Sequence, residues 1–429
     1  MDRIVGYIRH LGLYAAAMGK WLALSALVGV CCGLLGSAFH IGVELATEYR
    51  LGHGWVLWTL PLAGLACVGI YRLFRVEGQG TNNILREVQT GEGLSPALLP
   101  AIFFATVLTH LAGGSAGREG AALQMGGTIG FWSGRLLRLD DRDLRTATMV
   151  GMAAFFSALF GTPLAAAVFA LGVVSVGTIY HAAFVPCFTA ALIAYGVSLL
   201  LGVEPTRFLV EVPALGALGM LRVAALAVLC AFLSVLLCAV LHASEKAAEK
   251  AVRNPWLRAA LGGAALFALT TLLSTSDYNG AGMGVITAAV ERGQAVPAAF
   301  LWKMLFTALT LSVGFKGGEV VPSFFIGATF GCVVGPLLGL PAGFAAAVGL
   351  VSVFCGAVNC PLASIFLAVE LFGAEGMLAY ALACGLSFVL SGYSGLYSSQ
   401  RILYDKLKAR YINVHTNAHH QGQSTDALR

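Results

Sequence analysis

Two carboxylates that follow glycine-rich turns are the residues best placed to do chemistry. Glu119 follows Gly117 in a Gly-Arg-Glu-Gly run, and Glu319 follows Gly317 and Gly318 in a Gly-Gly-Glu run about half a chain later. Each begins a long apolar segment, where an ionised side chain costs roughly 2.5–3.5 kcal/mol on membrane-insertion scales. Such residues are rare in apolar segments and mark ion or proton pathways. The pair therefore predicts a buried site that handles protons and ions.

The composition is that of a protein embedded in a membrane. Hydrophobic residues make up 58% of the chain, charged residues 11%, and the mean hydropathy is +0.83. These values exclude an ordinary soluble domain and predict an all-α polytopic membrane protein. Apolar runs long enough to cross a bilayer lie at residues 21–38, 55–70, 97–112, 182–201, 220–241, 256–273, 299–313, 342–358 and 377–390. Shorter runs that open at Gly or Pro predict broken or re-entrant helices at residues 121–132, 163–176, 322–338 and 361–372.

Charge and cysteine usage narrow the class further. Basic residues sit near both ends, at Arg3, Arg9, Lys20, Arg401, Lys406, Lys408 and Arg410. The positive-inside tendency places both termini in the cytoplasm, with an uncleaved first helix, in a prokaryotic plasma membrane. No basic soluble face is present, so we expect no nucleic-acid partner. The ten cysteines lack metal-ligand spacing and predict packing roles, with no metal and no cofactor.

An internal repeat organises the chain. A Pro-Leu-Ala opening at Pro163 recurs at Pro361. At a shift of 200 residues, Gly114, Gly117, Glu119 and Gly127 align with Gly314, Gly317, Glu319 and Gly327. Interrupted helices in matching places predict a transporter with its site at the repeat interface, near the bilayer midplane. We expect one transmembrane domain over residues 1–410, with repeats at about 21–202 and 219–395, and a disordered cytoplasmic tail at 411–429.

At these residues the chain resembles the CLC family of anion channels and proton-coupled antiporters. The run from Gly117 to Ala121 stands where the family has G-R-E-G-P, and the run from Gly318 to Pro322 stands where it has G-x-F-x-P. Tyr397 matches the conducting-pathway tyrosine near the family's C-terminus. The resemblance implies a homodimer with one pathway per subunit, built as an inverted repeat of long tilted and broken helices. Their N-termini would converge on a central anion, which unpaired N–H groups and the positive end of the helix dipole can hold.

Departures from the family pattern indicate a subclass. Where the family has G-S-G-I-P, the chain reads Gly-Gln-Gly-Thr-Asn-Asn from Gly78, so Thr81 and Asn82 replace the chloride-type serine and the proline. Gly172 and Val173 stand near the usual inner proton glutamate, and Glu319 stands where relatives have an apolar residue. These changes resemble the fluoride/proton antiporter branch. They imply export of fluoride in exchange for protons, with chloride as a further candidate ion and membrane lipid as a neighbour.

The resemblance also implies roles for individual residues. Glu119 would be the external gate, and Glu319 would bind fluoride when protonated or carry the proton inward; both would face one central cavity. The implied anion-binding residues are Gly80, Thr81, Asn82, Gly117, Arg118, Gly120, Gly318, Val320, Val321 and Tyr397. The role of Glu370 stays open.

Several of these residues have an alternative structural role. Glu119 could pair with Arg118, and Glu319 could pair with Lys316. Asn82 could be a helix N-cap, and Tyr397 an interfacial aromatic.

Two other functions remain open as well. Ser115 lies in a Gly-x-Ser-x-Gly run, the pattern of a nucleophilic serine, although no histidine is selected as its partner. Within transport, the alternatives are a chloride/proton antiporter and a passive anion channel.

Overall fold

Helices dominate the structure. The computed structural model describes residues 2–417, with the side chains of residues 12 and 14–417. Within this range the α-helices are α1 (Asp2–Gly52), α2 (Leu60–Leu73), α3 (Thr81–Thr90), α4 (Leu98–Ala112), α5 (Glu119–Leu136), α6 (Asp141–Phe160), α7 (Pro163–Gly172), α8 (Phe184–Leu200), α9 (Ala217–Ala251), α10 (Pro255–Leu273), α11 (Met283–Glu291), α12 (Ala299–Ser312), α13 (Val320–Val334), α14 (Ala342–Val358), α15 (Pro361–Phe372) and α16 (Met377–Leu390). Short 3-10 segments lie at Gly54–Thr59, His181–Ala183 and Pro336–Leu338.

The helices have the lengths and composition of a polytopic membrane protein. Five helical segments of 19 residues or more are apolar enough to span a bilayer: Tyr14–Gly52, Gly54–Leu73, His181–Leu200, Ala217–Ala251 and Pro255–Leu273. Seven further apolar helices are shorter, at 10–17 residues. They include α15, which coincides with the segment predicted at 361–372. The predicted fold class is confirmed.

A small sheet closes the chain where a disordered tail was expected. Strands β1 (Ser175–Val176), β2 (Arg401–Tyr404) and β3 (Tyr411–His415) form one sheet in that order. β1 pairs parallel with β2, and β2 pairs antiparallel with β3. The expectation of a disordered tail is therefore wrong for residues 411–417, because strand pairing satisfies their backbone. Residues 418–429 lie outside the described residues.

Helices α1–α8 have counterparts, in the same order, in α9–α16. The second members of three pairs begin 201 residues after the first: α4 and α12 at 98 and 299, α5 and α13 at 119 and 320, and α6 and α14 at 141 and 342. Close helix crossings repeat at the same shift. A Cβ added to Gly126 would lie 2.3 Å from Gly151 O, and one added to Gly327 would lie 2.4 Å from Gly349 O.

The predicted register of 200 residues is therefore wrong by one. Because Gly317 and Gly318 are adjacent, either can be matched to Gly117 by identity alone. The helix starts instead align Glu119 with Val320, and Arg118 with Glu319.

The N-terminal part of α1 and the C-terminal sheet lie on the same side of the molecule. Lys20 forms an ion pair with Asp143 at the start of α6. Two residues later, Arg145 Nη1 donates to Gln89 O at 3.2 Å. Gln89 Nε2 in turn donates to Ser399 O at 2.8 Å, next to β2. This chain of contacts ties both ends to one face.

Candidate functional site

The two glycine-rich turns meet at the backbone. Gly117 N–H donates to Gly318 O at 2.7 Å, and Gly318 N–H donates to Gly117 O at 2.8 Å. A Cβ on Gly318 would lie 2.3 Å from Gly120 N, and one on Gly117 would lie 2.2 Å from Glu119 Oε2. Side chains are therefore excluded, and the bridge brings the starts of α5 and α13 together.

Glu119 is enclosed at this bridge. It is the first residue of α5 and is 0% exposed. Its Oε2 accepts from Val321 N–H at 3.3 Å, and its Oε1 has no hydrogen-bond partner. Val321 N–H belongs to the first turn of α13, whose unpaired amides can bind an anion. In this conformation the carboxylate of Glu119 takes that place.

Arg118 binds mainly to groups other than Glu119. Its Nη1 lies 2.8 Å from His40 Nδ1, and its Nη2 donates to Leu159 O at 3.4 Å. Its Nε is 4.0 Å from Glu119 Oε1, at the limit of an ion pair. A structural Arg118–Glu119 pair therefore has weak geometric support.

Glu319 has a different environment. It is the N-cap residue of α13 and is partly buried, and its Oε2 is buried without a partner. Lys316 lies over the ring of Tyr71, with Nζ 4.2 Å from the centroid. Among the described side chains no ion pair joins Lys316 to Glu319, so the alternative of a salt bridge between them is not supported.

Glu319 lines a cavity of about 530 Å³, which we name the Tyr397 cavity. Tyr397 is 2% exposed, and its hydroxyl has no partner. This burial disfavours the alternative of an interfacial aromatic. The other lining residues include Gly80, Thr81, Asn82, Gln124, Glu245 and Lys316.

The start of α3 brings the Thr81 and Asn82 side chains to the Tyr397 cavity. Thr81 Oγ1 accepts from Gln124 Nε2 at 3.3 Å and donates to Gly120 O at 3.5 Å. Asn82 Oδ1 accepts from Ser399 N–H at 3.0 Å. The helix cap is supplied by Asn83, whose Oδ1 accepts from Gly80 N–H at 3.0 Å. The capping role considered for Asn82 is therefore wrong.

A second cavity, of about 980 Å³, lies on the other side of the bridge; we name it the Arg118 cavity. Arg118 and Val321 line it, and it shares no described lining residue with the Tyr397 cavity. On α4, Ile102 lines the Tyr397 cavity and His110 the Arg118 cavity. Eight residues correspond to about 12 Å along a helix, so the cavities lie at different depths.

Only one of the two glutamates lines a cavity. Glu319 faces the Tyr397 cavity, whereas Glu119 lines neither cavity and lies between them. This differs from the expectation that both carboxylates face one cavity. Val320 is also fully buried and lines neither cavity.

Two polar residues near these elements were not assigned from the sequence. Gln124 is 4% exposed, and its Oε1 has no partner. A polar residue five positions after Glu119 in an apolar helix was the available signal. Glu370 accepts from Leu164 N–H at 3.0 Å and Ala165 N–H at 2.9 Å, so it caps the start of α7. This capping gives Glu370 a structural role.

The geometry does not favour a nucleophilic serine. Ser115 is 0% exposed, and its Oγ lies 3.0 Å from Thr307 Oγ1. Its backbone N–H donates to Thr310 Oγ1 at 2.9 Å. A serine nucleophile requires an adjacent base, and threonine hydroxyls do not supply one.

Known proteins share both the sequence and the fold. The family model described as voltage gated chloride channel matches residues 63–392. A protein of Pseudomonas syringae pv. tomato named chloride/fluoride channel protein is 37% identical over 398 residues, which is 91% of this chain and 88% of that protein. The H(+)/Cl(−) exchange transporter ClcA of Vibrio cholerae is 26% identical, over 82% of this chain and 81% of its own.

A solved structure agrees with these matches. A crystal structure described as a CLC-type fluoride/proton antiporter is 32% identical, with a TM-score of 0.87. The match covers 90% of this chain and 98% of that one. Together with the family model and the curated relatives, it shows that this chain is a multi-pass membrane protein of the CLC, or voltage-gated chloride channel, family of channels and transporters.

Proposed function

We propose that this protein is an antiporter that exports fluoride in exchange for protons, with Glu119 as its gate and Glu319 as a second proton-carrying group. The observation that carries the proposal is the unpartnered Oε2 of Glu319 on the wall of the Tyr397 cavity. A titratable group there can exchange protons with the cavity and contact an ion that enters it.

The groups of the Tyr397 cavity suit fluoride. Fluoride is small and strongly hydrated, so its dehydration must be offset by strong hydrogen-bond donors. A protonated Glu319 would supply a charge-assisted O–H donor. Thr81 and Tyr397 add hydroxyl groups, and Asn82 adds an amide NH₂ whose Oδ1 partner is already Ser399.

The conformation of Glu119 supports a gating role. Its carboxylate contacts the first turn of α13 and lies between the two cavities. Protonation would remove the negative charge and weaken the attraction to the amides and dipole of that helix. The neutral side chain could then leave, and an anion could take its place.

Similarity to characterised proteins supports the choice of ion. The solved structure at 32% identity is described as a fluoride/proton antiporter, and the relative at 37% identity is named for both chloride and fluoride. The Vibrio cholerae exchanger at 26% identity supports chloride/proton exchange as the second candidate. Both candidates use the same fold and the same gate.

We place the protein in a prokaryotic plasma membrane as a homodimer. The two ends lie on one side, and their basic residues favour the cytoplasm. The Tyr397 cavity, next to Ser399, would then open to the cytoplasm and the Arg118 cavity to the outside. Exposed leucines such as Leu200 (87%) and Leu378 (78%) would face lipid or the second subunit.

Ion efflux from proteoliposomes tests the proposal. Vesicles loaded with fluoride or chloride are diluted into ion-free buffer while the internal pH is recorded. We expect fluoride efflux at least about tenfold faster than chloride efflux, with protons moving the opposite way. Equal rates would contradict fluoride selectivity, and efflux without a pH change would indicate a passive channel.

A further inference from the structure

Two cations beside the Arg118 cavity are buried without a carboxylate partner. Arg50 is 5% exposed and Lys303 is 0% exposed. No ion pair among the described side chains includes either residue. A charge taken out of water is strongly unfavourable unless it is paired and hydrogen-bonded. The two positive charges therefore lack a counter-charge.

Both cations hold the loop between α10 and α11. Lys303 Nζ donates to Gly280 O at 2.6 Å and Tyr278 O at 3.1 Å. Arg50 touches the same loop, since a Cβ on Gly280 would lie 2.9 Å from Arg50 Nη2. Gly280 N–H donates to Gly114 O at 3.0 Å, so the loop is fixed to the turn that leads to Glu119.

Arg50 retains an unused donor at the base of the Arg118 cavity. Arg50 lines the cavity; its Nε donates to His110 O at 3.1 Å, whereas its Nη1 is buried without a partner. His110 also lines the cavity, and its buried Nε2 has no partner. An unmade hydrogen bond from a buried charged group is costly, so these atoms indicate a missing ligand.

The charges of the cavity are separated by depth. Three carboxylates line it, from Glu44, Glu48 and Asp277, and all three residues are exposed. The buried cations lie deeper, next to the loop and the bridge. An anion is therefore repelled at the mouth and attracted at the base.

We propose that the base of the Arg118 cavity binds a small monovalent inorganic anion, which pairs with Arg50 Nη1 and supplies the counter-charge for Arg50 and Lys303. Val321 lines the same cavity and donates to Glu119, so this site is separate from the amides that hold the gate. Because Nη1 is closed to water in this conformation, the anion reaches it after a small shift of the covering side chains. This favours a halide over a bulky organic anion.

Bromide locates the site directly. Crystals of the full chain are soaked in sodium bromide, and anomalous scattering maps the ion. We expect a peak beside the Arg50 guanidinium in the wild type and in Arg50→Lys, and no peak there in Arg50→Met. No peak in the wild type, or a peak that persists in Arg50→Met, would overturn the proposal. Neither result depends on which anion is transported.

Thermal unfolding separates a bound anion from a structural role of Arg50. A ligand that binds only the folded state raises Tm with concentration. We expect bromide, replacing gluconate, to raise Tm more in the wild type than in Arg50→Met. Arg292 lines the same cavity but is exposed, so Arg292→Met should retain the wild-type response. An equal Tm loss for Arg50→Met in both salts, or an equal effect of Arg292→Met, would contradict the site.

Discussion

The two glutamate turns share a backbone but place their carboxylates differently. Gly117 and Gly318 pair through two hydrogen bonds, and the preceding residues Gly113 and Gly314 have similar φ angles of 99° and 112°. Glu119, however, is the first residue of α5, whereas Glu319 is the N-cap of α13. One residue of offset therefore separates the two carboxylates in an otherwise matching frame.

That offset decides which cavity each side chain meets. Successive helical residues are rotated by about 100°, so the N-cap and the first helical position point in different directions. The two N-cap residues, Arg118 and Glu319, line opposite cavities. Glu119 instead points from the first position of α5 to Val321 N–H in α13. A symmetric frame thus holds an asymmetric pair, with one enclosed carboxylate and one facing a cavity.

Removing the enclosed carboxylate should have the largest effect. Glu119→Gln keeps nearly the same volume but cannot titrate, so we expect fluoride-driven proton movement to fall to background. The measurement is internal pH during fluoride efflux from proteoliposomes. Glu44→Gln is the matched control, because Glu44 is 58% exposed at the mouth of the Arg118 cavity. Uphill proton pumping by Glu119→Gln would refute the gating role.

Removing the cavity-facing carboxylate is the next test. Glu319→Gln should also abolish proton movement, because the chain has no other carboxylate at the start of α13. Glu245 lines the same cavity, so Glu245→Gln controls for loss of cavity charge and should keep coupling. Wild-type exchange by Glu319→Gln would make this carboxylate structural.

The backbone bridge itself can be disturbed. In Gly318→Ala the new methyl group would meet Gly120 N at 2.3 Å, and overpacking of this kind typically costs about 1–3 kcal/mol. We expect a lower Tm together with slower fluoride efflux. Gly284→Ala in α11 adds a methyl group with nothing within 4 Å, and it should leave both unchanged or raise Tm slightly. Equal behaviour of the two variants would show that the bridge tolerates a side chain.

Several features of the site could be predicted from sequence because each has a local cause. Proline and apolar composition define α15 as predicted, and the glycine turns mark both glutamates. Tyr397 lines a cavity as expected. These signals lie within a few residues of the chemistry that they predict.

The missed features depend on contacts between distant residues. The register of 201 is fixed by glycine crossings such as Gly126 with Gly151, which sequence identity does not reveal. β3 forms because β2 supplies its partner, and α3 was predicted only as a polar turn. Helix α6 begins with Asp141, Arg142 and Asp143, so its buried apolar part was not found by hydropathy.

The smallest expected effect is at Lys316, and it tests whether Glu319 acts alone. Lys316 shares the Tyr397 cavity with Glu319, but its Nζ lies over the Tyr71 ring at 4.2 Å. Lys316→Ala would remove a cation–π contact worth about 0.5–1 kcal/mol at exposed sites and more when desolvated, with no loss of a titratable carboxylate. We therefore expect fluoride efflux to slow by no more than about tenfold, the factor that corresponds to ~1.4 kcal/mol, while the ratio of protons to fluoride stays at the wild-type value. Simultaneous fluoride and pH recordings measure both quantities, and Lys316→Met, which keeps an unbranched side chain over Tyr71, separates the charge from the packing. A changed proton-to-fluoride ratio in either variant would mean that Lys316 and Glu319 carry the proton together.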